Sequence, residues 1–401
     1  MRVRPGGSHH QKFVVLRHPD RPELDVAYVG GIDLSHSRGD DTAHAGDQQA
    51  QPMAAVYGAR PPWHDIQLAI RGPAVGDVEA VFRERWTDPA PLSRDPVRRL
   101  RALLQHEDTR ADPLPPQLTD PAPQGSHTVQ LLRTYPNRLR GYAFAPKGER
   151  SIARGYLKVV HRARSLIYIE DQYLWSLQVA RPFADALAAN RGLHLIAIIP
   201  RFPGQDGRLS QPPNLVGHQL AVEALKRSGG DRVAVYGIEN HEGTPVYVHA
   251  KACIVDDVWA SVGSDNFNRR SWTHDSELSC AVLDEQLDQR DPLTPGEDGH
   301  RARVYARELR LTLAREHLDR CEGDDLDLCE PRTAFQAFAR CAVALDAWHA
   351  AGRHGRRPPG RLRTYPTPNV PWWNRTWATP LYNSLFDPDG RPAALRRANT
   401  F

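Results

Sequence analysis

The chain has 401 residues, enough for two ordinary domains or one large α/β unit. It is 40% hydrophobic and 25% charged, the composition of a globular protein rather than a collagen-like or disordered chain. Its formal charge of +4 is too small and too scattered to read as a nucleic-acid patch. No run approaches eighteen apolar residues, so no transmembrane segment is expected. The opening Met1-Arg2-Val3-Arg4-Pro5-Gly6-Gly7 lacks the apolar core of a secretory signal, and a cytoplasmic or peripheral membrane location is expected.

Phe13–Leu16 and Val26–Val29 are β-type runs joined by the turn-rich His18-Pro19-Asp20-Arg21-Pro22, and read as a hairpin. Residues 33–62 are polar and His-rich, a long functional loop. His36, Asp40, Asp41, His44 and Asp47 crowd its first half without ligand spacing, so no metal or other cofactor is expected. Trp63–Ile70 alternates like one strand, and Pro73 opens a helix through Arg85 with Val75, Val78 and Val81 at helical spacing. Residues 87–124 are Pro-rich and read as a linker.

From Val129 strands and helices alternate, the signature of a layered α/β sheet. Strands are predicted over 129–133, 165–170, 194–199 and 232–236, with helices over 149–164, 181–190 and 215–227 between them. A hairpin follows, Val246–Val255 with Trp259–Val262, then a strand at Leu278–Leu283 and helices at Arg301–Leu318 and Ala334–Ala350. The tail from Arg353 is expected to wrap the surface without regular structure. Its Trp372, Trp373 and Trp377 either pack it onto the body or touch a lipid interface. Five cysteines with no C-x-x-C pair argue against a disulfide scaffold or structural zinc.

Two segments share a local plan. His10-Gln11-Lys12 enters an apolar strand followed by Gly30-Gly31-Ile32-Asp33; His249-Ala250-Lys251 enters another followed by Gly263-Ser264-Asp265-Asn266. Period-2 alternation points His and Lys of each pair to one face. With 18 His and only five Lys in the chain, chance predicts about 0.2 such pairs. An internal duplication, its halves facing across a pseudo-twofold, explains two. Two imidazoles and two ammoniums suit phosphodiester cleavage: one imidazole attacks phosphorus, the other protonates the leaving alcohol, and the ammoniums offset charge on the oxygens. Asp256 is expected to fix an imidazole tautomer, and Asp33 and Asn266 to complete a phosphate cradle. Trp63-His64-Asp65 is a candidate lining of the substrate pocket, and Glu170-Asp171-Gln172 a candidate hydrogen-bonding segment for the catalytic region.

The run His249-x-Lys251-x4-Asp256-x6-Gly263-Ser264-x-Asn266 resembles the HKD motif of the phospholipase D superfamily. Pro62-Trp63-His64-Asp65-Ile66 through Trp86 resembles a block of the eukaryote-type enzymes. So do Ile167–Tyr173, Asp275-Ser276-Glu277-Leu278 and Leu313–Leu318, and the likeness runs from about residue 9 to about 318. It implies His10 as nucleophile and His249 as general acid, with Lys12, Lys251 and Asp256 completing the catalytic set. Asp33, Ser264, Asn266 and Glu277 are then the expected substrate contacts. Arg17 stands where the first motif would carry Asp, with Asp25 a candidate replacement.

The resemblance implies an α/β fold of two phospholipase D-like repeats related by a pseudo-twofold, the N-terminal repeat incomplete because the chain starts nine residues before His10. The expected divisions are 1–124 for the partial first repeat, 125–352 for the second, and 353–401 for the tail. The implied activity is a phosphodiesterase cleaving glycerophospholipids such as phosphatidylcholine to phosphatidic acid and head-group alcohol, through a phosphohistidine. The protein is expected to act as a monomer at a membrane surface, without cofactor and without nucleic acid. The rival readings are a cardiolipin or phosphatidylserine synthase, a nuclease of the same superfamily, and a catalytically impaired homologue acting as a binding protein.

Overall fold

The apolar runs Phe13–Leu16 (β1) and Val26–Gly30 (β2) form the expected antiparallel hairpin, with Phe13 opposite Val29. The computed structural model describes residues 3–35, 38–49, 51–89, 95–107, 111–139, 141–207, 210–296 and 299–401, so His36 lies outside the described residues. Asp25 ties the hairpin turn. Its carboxylate accepts from the His18 amide at 2.6 Å and the Arg17 guanidinium at 2.9 Å, and Arg17 also reaches Glu79 at 2.5 Å.

Trp63–Ile70 is two strands rather than one. Gln67–Ile70 (β4) stays on β2, whereas Trp63–His64 (β3) leaves to pair in parallel with Tyr247–Val248. The break at Asp65-Ile66 lets one segment serve two sheets. Ala74–Trp86 (α1) follows, and its buried Val75, Val78 and Val81 pack with Ala27 and Val29 of β2 and with Leu278 and Cys280 of the second repeat. The stretch expected to be linker holds a helix, Pro96–Leu104 (α2), capped by Asp95 accepting from the Val97 amide at 2.9 Å. No residue of α2 is buried.

The second repeat supplies His127–Tyr135 (β5), Glu149–Arg150 (β6), Ser151–His161 (α3), Leu166–Glu170 (β7), Leu177–Ala189 (α4), His194–Ile198 (β8), Gln211–Gly229 (α5) and Val233–Ile238 (β9). Tyr247–Val248 (β10), Ala252–Val255 (β11), Trp259–Gly263 (β12), Arg269–Thr273 (α6), Glu277–Asp284 (β13), Val304–Leu318 (α7) and Pro331–Ala350 (α8) continue it. One nine-stranded sheet runs β14-β9-β8-β7-β11-β12-β13-β5-β6, where β14 is Leu362–Thr364. β7, β8 and β9 are parallel, and right beside them β11 pairs antiparallel with β7, Ala252 opposite Glu170.

Both faces of this sheet are covered, which is why its central strands read as unbroken apolar runs. One face packs α3, α4 and α5 through Ile152, Phe183 and Leu225; the other packs α7 and α8 through Leu311, Ala314 and Phe338. Under the second face, Asp257 receives Arg310 through two contacts of 2.6 Å and Arg307 at 3.1 Å, all three buried. A separate three-stranded sheet, β1-β2-β4, belongs to the first repeat. It corresponds to β11-β12-β13, so among the described residues the two repeats are unequal: three strands in this sheet against the eight that the second repeat gives the large one, whose ninth, β14, comes from the tail.

The tail is ordered, contrary to expectation. β14 adds to β9 with Leu362 opposite Ile238, and Trp372–Leu381 (α9) and Ala393–Ala398 (α10) follow. Leu362, Val370, Ala378 and Tyr382 are buried against partners more than a hundred residues away, a pairing invisible to local pattern.

Candidate active site

Each His-x-Lys segment sits at a strand mouth, outside the regular ladder. The predicted strand Val246–Val255 is interrupted there: β10 ends at Val248, β11 begins at Ala252, and the motif fills the gap. Lys12 Nζ curls back to donate to the His10 carbonyl at 3.0 Å, and Lys251 Nζ donates to the His249 carbonyl. The glycine turns behind them match. Gly30 N–H donates to the Lys12 carbonyl at 3.3 Å and Gly263 N–H to the Lys251 carbonyl at 3.1 Å. A Cβ on Gly30 would collide with the Ile66 carbonyl, and one on Gly263 with Ser279.

The repeats hold each other's histidines. His10 N–H donates to the Ser276 carbonyl at 3.0 Å, and His249 N–H to the His64 carbonyl at 2.7 Å. His10 Nδ1 lies 2.9 Å from Glu277 Oε2; His249 Nδ1 lies 2.7 Å from Asp65 Oδ2. In both pairs the carboxylate comes from the opposite repeat. At Asp65, an Nδ1–H turned toward the carboxylate fixes the His249 ring and leaves its Nε2 for chemistry; Glu277 fixes the His10 ring through the same nitrogen. Both histidines line one cleft of about 770 Å³, with Asn266, Trp63 and Tyr247 on its wall.

Burial sets the charges. Desolvation, helped by Lys12 and Lys251, lowers His10 to about 3. Desolvation and Lys251 lower His249 to about 4 against the opposing pull of Asp65. Both imidazoles are therefore neutral before an anion arrives, the state a nucleophile needs. Lys251 is lowered to about 8, first by burial, with Lys12 adding repulsion. Glu277 is pushed up to about 8 by burial and by Asp275, whereas Asp65 is lowered because His249 and Lys251 outweigh its burial.

Several expected roles change. Asp256 does not touch an imidazole. Its carboxylate accepts from the amides of Arg164 (2.7 Å), Ser165 (2.8 Å) and Leu166 (3.0 Å) and from Ser165 Oγ, closing the entry to β7. Asp65 does the work assigned to Asp256; its place in Trp63-His64-Asp65 was visible, its partner was not. Ser264 is fully buried and donates to Glu277 at 2.6 Å, so it holds a carboxylate rather than substrate. Glu277 is likewise fully buried, with its carboxyl against His10 Nδ1. Asn266 lines the cleft, with a buried Oδ1 that has no partner among the described residues. Asp33 lies 3.5 Å from Lys12 Nζ. In the Glu170-Asp171-Gln172 segment it is Gln172 that reaches the site, 3.4 Å from Lys251 Nζ and 2.9 Å from the Tyr247 hydroxyl.

Behind Asp65 lies a largely buried network that sequence reasoning missed as a unit, although four of its members sit in the quoted blocks and the fifth, His44, in the His-rich loop. His64 Nε2 meets Glu170 at 2.6 Å and its Nδ1 meets Glu316 at 3.0 Å; His317 Nε2 meets Glu170 at 2.7 Å, and His44 Nε2 meets Glu316 at 3.0 Å. These groups carry metal-ligating chemistry, and His44, His64 and Glu316, or His64, Glu170 and His317, converge closely enough to be considered. Their separations are hydrogen-bond lengths, shorter than the roughly 3.3 Å between two ligands sharing a tetrahedral zinc at about 2.0 Å. The carboxylates raise His64 against its burial, and the imidazoles hold Glu170 and Glu316 below the ordinary carboxylate range. The arrangement is a proton-bridged strut joining the loop, β3, β7 and α7.

Fold and cleft together define an α/β protein of two unequal repeats that share one histidine–lysine site. Residues 5–197 match the family model described as phospholipase D, and residues 156–290 the one described as cardiolipin synthase, PLD-like domain. Phospholipase D beta 1 of Arabidopsis thaliana is 26% identical over 412 residues, covering 78% of this chain and 37% of that protein. Phospholipase D1 of Schizosaccharomyces pombe is 27% identical over 409 residues, covering 81% of this chain and 28% of that one. Among solved structures, phosphatidylserine synthase of Haemophilus influenzae is 13% identical with a TM-score of 0.44, over 71% of this chain and 60% of its own. The chain belongs to the phospholipase D superfamily. It spans less than half the length of either of these two phospholipase D relatives.

Proposed function

We propose that the protein is a phospholipase D-type phosphodiesterase that cleaves the bond between phosphorus and the head-group oxygen of a glycerophospholipid. The observation that carries this reading is the reciprocal pair His10–Glu277 and His249–Asp65, set across a single cleft, with Lys251 buried and Lys12 partly buried two residues from their histidines. In the first step His10 Nε2 attacks phosphorus. The bond to the head-group oxygen breaks, and that oxygen leaves with a proton from His249. In the second step His249 takes the proton of a water or an alcohol, whose oxygen displaces His10. The product is phosphatidic acid or a phosphatidyl alcohol. Lys12, Lys251 and Asn266 offset the charge that develops on the non-bridging oxygens. A phosphate monoanion between these groups raises His249 from its resting value, so the acid is charged only when substrate is bound.

Arg38 narrows the head-group class. Its guanidinium stands 4.0 Å over the Trp63 ring and so occupies an aromatic face that a quaternary ammonium would use. A head group bearing hydroxyls or a carboxylate fits this wall better than choline.

The test is head-group release from phosphatidylglycerol and phosphatidylcholine vesicles with a primary alcohol and EDTA present, comparing wild type with His10→Ala. Release and a phosphatidyl-alcohol product, both lost in the variant, support the reading. A folded wild type that releases neither head group overturns it.

A further inference from the structure

The tail outside the two family matches builds one edge of the cleft mouth. The inner face of α9 and the residue that follows it are seated firmly: Ala378 and Tyr382 are buried with Trp175 and Val216, and Trp377 packs beside them. α5 comes so close that a Cβ on Gly217 would strike Tyr382 and Trp175. Past a wider turn over 382–386, the chain is strapped to α6. Asp387 accepts from the Arg270 amide at 2.7 Å and the Tyr382 hydroxyl at 2.8 Å, and Gly390 N–H donates to Thr273 Oγ1 at 2.9 Å.

The outer side of the same segment carries bare apolar side chains among the exposed polar Arg375, Thr376, Asn383 and Ser384. Trp372 and Trp373 are 69% and 58% exposed, and Leu385 is 62% exposed while also lining the catalytic cleft. From Trp372 to Leu385 the helical run spans roughly 20 Å at 1.5 Å per residue. Other stretches place apolar side chains around the opening. Leu34 is 85% exposed beside the lining residue Ser35, and Phe202 is 36% exposed beside the lining residue Pro203. Scattered exposed hydrophobics are ordinary; two adjacent bare indoles on a segment that carries an exposed leucine into the active-site mouth are not.

We propose that Trp372, Trp373 and Leu385 form an interfacial rail on which the protein sits against a phospholipid bilayer, the cleft mouth facing the lipid. Indole rings favour the boundary between water and hydrocarbon. A lipid surface is the occupant because Leu385 belongs to both rail and cleft: a protein partner or a second copy seated there would lie across the mouth and close it. No helix among the described residues is long and apolar enough to cross a membrane, so the rail lies on the surface. The inference deepens the phospholipid reading of the same site.

The experiment is flotation with vesicles of phosphatidylcholine and phosphatidylglycerol, alongside turnover of those vesicles and of a short-chain monomeric phospholipid. Wild type is compared with Trp372→Ala/Trp373→Ala, which leaves every cleft residue in place, and with Leu100→Asp/Leu104→Asp on the exposed helix α2. The tail variant is expected to lose vesicle affinity by about tenfold or more and vesicle turnover in proportion, with monomer turnover within twofold of wild type. Unchanged flotation of the tail variant overturns the proposal, as does a loss seen only in the α2 variant. Vesicle binding that depends on the tail but comes with no phosphodiester cleavage refutes the proposed function and leaves the rail standing.

Discussion

Replacing Asp65 with asparagine isolates the contribution of one exchanged carboxylate. Asparagine is nearly isosteric, and its Oδ1 can still accept from the Ile66 amide, as Asp65 does at 2.9 Å, so the strand break is preserved. What changes is the partner of His249 Nδ1, 2.7 Å away in a nearly water-free setting. An amide nitrogen facing Nδ1 turns that atom into an acceptor and moves the ring proton to Nε2. The imidazole then cannot take a proton from water in the second step. Losing a triad carboxylate of this kind costs about 10³–10⁴ in kcat, roughly 4–5.5 kcal/mol of barrier. Asp65 also raises His249 against burial and Lys251, so its removal moves the acid limb of the profile to lower pH. The assay is steady-state head-group release across pH, with ¹⁵N chemical shifts reporting the His249 tautomer. A folded Asp65→Asn protein within threefold of wild-type kcat, or one altered only in KM, refutes the reasoning.

Activity is expected to fall as pH rises through about 8, where Lys251 loses its ammonium; Lys251→Arg should carry that limb upward, and a limb that stays put refutes the assignment to Lys251. Asp256→Ala should lose roughly 3 kcal/mol of stability by orphaning three amides, yet keep kcat per folded molecule within a few-fold; a kcat loss above a hundredfold would return Asp256 to the catalytic set. Asp257→Asn leaves Arg307 and Arg310 buried beside a neutral group and should cost about 3–5 kcal/mol in denaturant unfolding, a cost that a change under 1 kcal/mol would contradict. Glu170 and Glu316 are held low in the folded protein, so the stability they add is complete above the ordinary carboxylate range and is lost as pH falls through their folded values. Glu170→Gln should therefore lower Tm at pH 7 and flatten its decline in acid; an unchanged acid limb would place the acid-labile groups elsewhere.

The duplicated His-x-Lys, the glycine turns and the alternation of strand and helix after Val129 were legible because each is local: two apart on a strand, one turn of backbone, one period of hydrophobicity. They sufficed for the α/β class, the duplication and the two histidines. The sequence could not say which carboxylate meets which imidazole. Asp256 lies seven residues from His249 and turns away at the far end of β11, while Asp65, 184 positions off, makes the contact. Nor could it show that His10, near the start of the chain, is held by Ser276 and Glu277. Trp372, Trp373 and Trp377 read alike as residues of one tail, yet packing on Trp175 covers one and leaves two bare. Pairing of this sort is decided by closure of chain segments hundreds of residues apart onto shared sheets and cores. Local periodicity carries no record of it, because any carboxylate at the right distance would satisfy the same local pattern.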